Sequence, residues 1–350
     1  MVQVVRRFGE VGGMESYVWQ LSHALINLQV PVIVFCEEVL QSHSPKIQVI
    51  RVKKALSRPR WLALYRFGLR ATKMFSNLLI ERPLAKFIVH SHERCGFHQV
   101  TTFHGPPFAQ IREKPFWQKL SIRVLAHLWL ERREVLASSV RFVIPNSELI
   151  SRSLIHYYPA ISSRLTKAIT PGVPRSPKRG AKKVDPTGGV VGFIGKEWKR
   201  KGLEFFLLII AELTKTRPDI EVIILGPKES EVKRLAANYS FKVRALGWRP
   251  ARFVFSEIDL LIHPASSEPY GMVVAEAIAA GVPVLVSDQC GAASDVMPSC
   301  GTVLSLLESP KQWSLWADKW LGTNSIPSTH LRDWREVARD YQKIYLGLED

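Results

Sequence analysis

Along the chain, short runs of Val, Ile and Phe alternate with longer stretches in which apolar residues recur every three or four positions. In the first half, residues 2–5 (VQVV), 31–36 (PVIVFC), 86–91 (KFIVHS), 99–104 (QVTTFH) and 141–145 (RFVIP) read as buried strands, and residues 14–28 (MESYVWQLSHALINL) as an amphipathic helix. In the second half, residues 190–195 (VVGFIG), 221–226 (EVIILG), 260–264 (LLIHP) and 282–287 (VPVLVS) read the same way. Apolar strands alternating with helices predict parallel sheets covered on both faces. The expected fold class is α/β, with two doubly wound domains facing each other across a cleft. In such sheets, ligands sit beyond the carboxyl ends of the strands. Near the end, Leu331, Trp334, Val337, Tyr341 and Ile344 keep helical spacing and predict a packing helix.

The length of 350 residues favours two domains over one. Residues 171–188, PGVPRSPKRGAKKVDPTG, are rich in Pro, Gly and Lys, which is linker chemistry. The expected organisation is a first domain over 1–170, a linker over 171–188, a second domain over 189–330 and a terminal helix over 331–350.

Charge divides at the same seam. Residues 1–183 carry 29 Lys and Arg against 10 Glu and no Asp, a net +19, whereas residues 184–350 carry 19 against 21, a net −2. A basic half suits an anionic partner: phosphorylated lipid, acidic glycan, nucleic acid or a membrane surface. Two basic segments studded with aromatics, 58–75 and 112–133, are candidates for membrane or acceptor contact. The competing expectation is that most of their aromatics face a core. Cys36, Cys95, Cys290 and Cys300 form no CxxC and are expected to be reduced thiols. No signal-peptide pattern opens the sequence, and the longest apolar run, 205–211, is too short to span a bilayer. A soluble or peripheral protein is expected.

Four stretches carry candidate chemistry. In FGEVGGMESYVWQL (8–21), Gly12 and Gly13 precede a helix, where free amides and the helix dipole can hold phosphate. The same pair also serves as an ordinary tight turn. In FIGKEWKRKGLEFF (193–206), a strand ends at Gly195 and is followed by Lys196, Lys199, Arg200 and Lys201, cations that can neutralise a diphosphate. A solvated basic loop has the same composition. In SSEPYGMVVAEAIAAGVPVL (266–285), a helix starting near Gly271 leaves the amides of Gly271, Met272 and Val273 free. Glu268 lies in the loop before it and Glu276 lies within an otherwise apolar helix, where a buried carboxylate needs a partner. Carboxylates suit sugar hydroxyls on either side of a diphosphate. In residues 90–108, His90, His92, His98, His104 and Cys95 are dense but fit no zinc spacing. Strand alternation is expected to send alternate residues to opposite faces. His104 is therefore expected as a polar site residue and no metal is expected. No Asp-x-Asp, GxSxG elbow or P-loop occurs.

These residues together resemble family 4 retaining glycosyltransferases of the GT-B fold. EPYGMVVAE resembles that family's E-x7-E signature. GEVGGMESYVWQLSHAL, TFHG, TPGVP, FIGKEWKRKG and HPASSEPYGMVVAEAIAAGVPVLVSDQCGAASDV follow in the family's order. The last run looks most like the lipopolysaccharide core glucosyltransferase branch. The resemblance implies two Rossmann-like domains, with a terminal helix crossing back onto the first. It implies that Glu276 holds the donor ribose and that Glu268 contacts the donor sugar. Tyr270, Gly271, Met272 and Val273 would supply backbone to the diphosphate. Lys201 matches the family's phosphate-binding lysine, and Lys196 stands where many members have arginine, losing the bidentate fork. Gly12, Gly13 and Gly195 would line the donor phosphates, and His104 would lie beside the donor sugar. The implied activity is metal-independent hexose transfer with retained stereochemistry, from UDP-glucose first and GDP-mannose or another UDP-sugar next. The implied acceptor is an anionic glycolipid or oligosaccharide on the cytoplasmic face of an inner membrane. The other classes weighed are a basic nucleic-acid-binding protein, for which no recognisable module exists, and a non-catalytic protein of the same fold.

Overall fold

A computed structural model describes residues 1–54, 58–174, 179–180, 183–249, 251–323 and 331–348. The chain divides into two compact units, Met1–Gly172 with Arg332–Asp350, and Val173–Leu331. Of the expected linker, residues 175–178 and 181–182 lie outside the described residues.

The first unit begins β1 (Val2–Val4), β2 (Arg7–Phe8), α1 (Gly13–Asn27), β3 (Val32–Cys36), β4 (Glu38–Val39) and β5 (Ile47–Arg51). It continues α2 (Arg60–Glu81), β6 (Val89–Ser91), β7 (Val100–Phe103), α3 (Ile122–Leu136), β8 (Phe142–Pro145) and α4 (Glu148–Tyr157). Its main sheet is parallel, in the order β5-β3-β1-β6-β7-β8, and β2 pairs separately with β4. Val2, Val4, Val34 and Phe35 are fully buried because helices cover both faces.

The second unit holds β9 (Gly188–Ile194), α5 (Leu203–Leu213), β10 (Asp219–Leu225), α6 (Glu229–Ala236) and β11 (Lys242–Ala245). Then come β12 (Leu260–His263), α7 (Met272–Ala279), β13 (Val284–Ser287), β14 (Gly301–Leu304) and α8 (Pro310–Gly322). The parallel order is β11-β10-β9-β12-β13-β14. On one face, Phe206, Leu207 and Ile210 of α5 pack with Trp313 of α8, while on the other Val273, Val274 and Ile278 of α7 fill the core. The apolar run 205–211 thus lies within α5, most of it buried, with Leu208 exposed.

In both sheets the chain starts centrally, builds outward one way, then returns to build the other way. The reversals fall between β1 and β6 and between β9 and β12, and the loops that diverge there leave a crevice at the carboxyl ends.

Helix α9 (Trp334–Leu346) closes the first unit against α1. Its start is set by a capping box in which Asp333 accepts from the Glu336 amide and Glu336 accepts from the Asp333 amide, both at 2.9 Å. Leu331 therefore falls outside the helix that its spacing suggests. Val337, Ala338, Tyr341 and Tyr345 are buried, and the Tyr17 and Tyr341 hydroxyls meet at 2.8 Å. Arg179, inside the expected linker, is a built part of the second unit. It is 6% exposed and pairs with Asp259 at 2.7 Å. Composition signals a seam here but does not reveal that one arginine is buried with a carboxylate partner.

Candidate functional site

In the second unit, the crevice between β9 and β12 collects the sequence-derived residues. Strand β9 ends at Ile194, and Gly195 continues into the basic loop. A Cβ on Gly195 would lie 2.0 Å from Lys201 Cδ, so the lysine stem lies across bare backbone. Gly202 has φ +78°, and a Cβ there would meet the Pro264 carbonyl at 2.1 Å. Only glycine lets the helix α5 start so close to the end of β12. Lys196 is exposed and has no ion-pair partner among the described residues.

Lys201 Nζ lies 3.1 Å from Glu268 Oε2, and Arg200 Nη1 approaches the same oxygen at 3.3 Å while also bonding the Ser267 carbonyl. His263, the last residue of β12, is fully buried with its Nε2 3.6 Å from that oxygen, beyond normal hydrogen-bond length. Neither His263 ring nitrogen has a hydrogen-bond partner among the described residues. Burial pushes the Glu268 carboxyl up, but His263, Lys201 and Arg200 together more than reverse this and hold it down at about 2. Burial, only partly offset by Glu268, holds the His263 imidazole below its ordinary value. Glu268 is thus a fixed carboxylate that aims two cations, as well as a candidate sugar ligand.

The loop from Glu268 to Tyr270 is bonded to the segment after β13. Glu268 N–H donates to Gln289 O at 3.0 Å, Gly291 N–H donates to Glu268 O at 2.9 Å, and Ala292 N–H donates to Tyr270 O at 2.6 Å. Tyr270 is buried and its hydroxyl donates to Asp295 at 2.7 Å. Gly271 caps α7 with φ +97° and would place a Cβ 2.6 Å from Cys290 Sγ. The first-turn amides of Met272 and Val273 have no intrahelical acceptor, which leaves an anion-binding terminus. One turn further on, Glu276 is half-buried with no ion pair among the described residues. Burial pushes its carboxyl up to about 7, against the pull of Lys201.

In the first unit, Gly12 is the extended N-cap of α1 and Gly13 its first residue. A Cβ on Gly12 would lie 2.4 Å from Glu15 Oε2, whereas one on Gly13 would have open space. His104 follows β7 and is half-buried; burial pushes its imidazole down to about 3.

The histidines are more convergent than strand alternation suggests. His90 and His92 are two apart and therefore share a face, with ring centroids 4.2 Å apart, and His104 joins them from the neighbouring strand. Only His98 points elsewhere, to the Glu134 carbonyl at 2.9 Å. Their nitrogens are engaged with one another and with hydroxyls. His104 Nε2 meets His92 Nδ1 at 2.8 Å, and His92 Nε2 meets Gln3 Oε1 at 2.7 Å. His90 bridges the Tyr345 and Thr102 hydroxyls, each at 2.8 Å. With the Gln3 carbonyl accepting, His92 must donate from Nε2 and accept at Nδ1, so His104 donates from Nε2 and keeps a lone pair on Nδ1. Among the described residues, no group of three or more His, Cys, Asp or Glu is arranged to hold a metal ion.

Sequence reading missed Gln3, His92 and His263 as supporting groups, and Arg200 as Glu268's second cation. A lone histidine ending an apolar strand was the available signal for His263. Nothing local marked Gln3, whose partners are 89 and 342 residues away.

Two family models match the chain, Glycosyltransferase Family 4 over residues 11–177 and Glycosyl transferases group 1 over residues 175–310. The phosphatidylinositol N-acetylglucosaminyltransferase GPI3 subunit of Saccharomyces cerevisiae is 21% identical, over 97% of this chain and 81% of the relative. The lipopolysaccharide glucosyltransferase WaaG of Escherichia coli is 29% identical over 42% of this chain and 40% of its own. A crystal structure of WaaG superposes with a TM-score of 0.75 at 19% identity, covering 98% of this chain and 95% of the other. Anabaena HepE in complex with UDP-glucose superposes with a TM-score of 0.65 at 16% identity, covering 99% of each chain.

Proposed function

The chain belongs to glycosyltransferase family 4 of the GT-B fold, and on that premise we propose that it moves a hexose from a nucleotide sugar onto a lipopolysaccharide core or similar cell-envelope glycan. UDP-glucose is the first donor proposed, with GDP-mannose or another UDP-sugar next. Support for the donor class comes from the relatives' own ligands and names, a lipopolysaccharide glucosyltransferase and a UDP-glucose complex. The observation that carries the reading is the Lys201–Glu268 pair at 3.1 Å, set beside the free first turn of α7.

In this reading, the diphosphate sits on the α7 amides and on Lys201 and Lys196. As the bond from sugar to phosphate breaks, negative charge grows on the leaving oxygen, and these groups stabilise it where it develops. The acceptor hydroxyl attacks from the same face and its proton passes to the leaving phosphate, so that stereochemistry is retained without a covalent intermediate or a metal. Glu276 binds the ribose and Glu268 the hexose. Gly12, Gly13 and His104 of the first unit keep the donor roles that the family resemblance implies for them.

We place the membrane contact on the segment before and within α3. Phe116, Trp117, Leu120, Ile122, Leu125 and Trp129 are between 50% and 76% exposed, whereas in 58–75 Phe67 is buried and no aromatic is exposed, so the expectation of core-facing aromatics holds for that segment and fails for this one. Lys114, Lys119 and Arg132 lie among them. No helix of the described residues is long and apolar enough to cross a membrane.

The test is nucleotide release from UDP- and GDP-sugars with and without a glycolipid acceptor. Acceptor-dependent release should fall at least tenfold in Glu276→Ala and in Lys201→Ala. Release that both variants leave unchanged would remove the proposed roles.

A further inference from the structure

One cavity of about 1080 Å³ lies wholly within the first unit, lined by His92, Thr102 and His104 and by six arginines. Several of its cations are already neutralised. Arg6 pairs with Glu37 at 2.8 Å, Arg94 with Glu131 at 2.9 Å, Arg7 with Glu15 and Lys54 with Glu38. Arg58, Arg60 and Arg123 also line it and have no ion-pair partner among the described residues.

The surplus charge is placed where helices ordinarily avoid it. Arg60 opens α2 and Arg123 sits in the first turn of α3, and neither first turn holds an acidic residue. The positive end of a helix dipole favours carboxylates, so an arginine there is a local cost that a bound anion would relieve. His127 of α3 reports the convergence. Arg94 Nη1 lies 3.2 Å from its Nδ1, and its ring lies tilted against Phe108 with centroids 5.0 Å apart. Burial first, then the fields of Arg94, Arg60 and Arg123, push its imidazole down to about 4. Arg94 thus touches the His127 ring, and Arg60 and Arg123 line the same cavity.

We propose that this cavity holds a phosphate group carried by the acceptor, with Arg60 and Arg123 as its ligands and Arg58 at the mouth. The assignment deepens the glycosyltransferase reading by naming the acceptor class, a hydroxyl compound that bears a phosphate monoester or diester. Arg60 and Arg123 can each present a planar pair of N–H donors to phosphate oxygens. The acceptor hydroxyl then lies toward the His104 end of the same cavity.

The experiment titrates the full chain with glucose 6-phosphate and with short-chain phosphatidylglycerol, each against its uncharged counterpart, glucose or dihexanoylglycerol. Calorimetry gives affinity, and histidine NMR follows His127. The expected result is binding of one or both phosphorylated probes, not of the neutral ones, with the His127 pKa rising on saturation. The stronger probe tells a free sugar phosphate from a lipid headgroup. Arg60→Gln and Arg123→Gln should each weaken binding about tenfold, with circular dichroism confirming that both variants fold. Equal affinity for neutral and phosphorylated probes, or a His127 resonance that phosphate leaves unmoved in the wild type, overturns the assignment. UDP binding to the wild type is measured separately. Phosphate binding without UDP binding removes the proposed donor and leaves this site standing, and the converse removes this site alone.

Discussion

Glu276 lies against apolar neighbours on α7 with only the field of Lys201 to offset lost hydration, and its carboxyl rises to about 7. Glu268, eight residues earlier, is buried too, but two cations and an imidazole surround it and hold it at about 2. The signs for stability are opposite. Glu268 contributes above the ordinary carboxylate pKa, and its contribution is lost as pH falls toward 2. Glu276 costs stability. Between about pH 4.5 and 7 the unfolded chain has released this proton and the folded chain still holds it, so stability falls as pH rises through that window. Water at the partly exposed edge of the group limits the cost to about 1–3 kcal/mol. Glu276→Gln should therefore raise the melting temperature of the ligand-free protein by roughly 3–6 °C at pH 8 and leave it unchanged at pH 4.5, while weakening nucleotide binding. Calorimetric scans at the two pH values check this, and equal melting at pH 8 would show that the carboxylate already has a partner. A site glutamate that destabilises its own fold is explained by the ligand hydroxyls that satisfy it.

Elements were legible in proportion to their burial. The central strands β1, β3, β6, β9, β10, β12 and β13 are short and rich in buried Val, Ile, Leu and Phe, and each was expected within a residue or three of where it lies. Of the edge strands, β8 was expected at 141–145 and lies at Phe142–Pro145, whereas β5, β11 and β14 were not expected. β5 is IQVIR and β11 is KVRA, polar and half-exposed on one side, as an edge must be to avoid pairing with another chain. The β14 edge begins at Gly301, whose missing Cβ leaves room for the Val284 carbonyl that a Cβ would meet at 2.4 Å. The glycines at the element ends differ in ways the sequence could not separate. Gly271 sits at φ +97° against Cys290, so Gly271→Ala should cost about 1–2 kcal/mol in left-handed strain alone and lower UDP affinity as α7 shifts. Gly13→Ala meets nothing within 4 Å and continues a helix, so it should melt within about 1 °C of wild type. Any loss of donor affinity in Gly13→Ala then reports how closely the ligand approaches the α1 backbone. Melting curves with and without UDP make the comparison, and early melting of Gly13→Ala would contradict the open space around it.

Across the whole molecule, charge and exposed apolar surface gather in the first unit. That segregation was visible in the sequence as a net +19 over residues 1–183, but the outward-facing aromatics were not. Periodicity cannot tell an apolar face turned to a core from one turned outward, since both place residues three and four apart. In the fold, Val124, Leu130 and Val135 of α3 point inward while Ile122, Leu125 and Trp129 point out, so this helix is apolar on two sides. An anionic membrane would engage both features, and the two contributions separate experimentally. Each lysine or arginine near the surface adds about 1 kcal/mol at low salt, and the effect fades as the screening length shrinks from about 10 Å at 0.1 M to about 3 Å at 1 M. Burying a large apolar side chain adds up to about 1.5–3 kcal/mol regardless of salt. Co-sedimentation with vesicles containing phosphatidylglycerol should therefore weaken, but not vanish, at 1 M salt. The double variant Trp117→Ser, Leu120→Ser should weaken it at least tenfold at both salt concentrations. Binding that salt abolishes entirely would reduce the contact to charge alone, and binding indifferent to the double variant would move it off this segment.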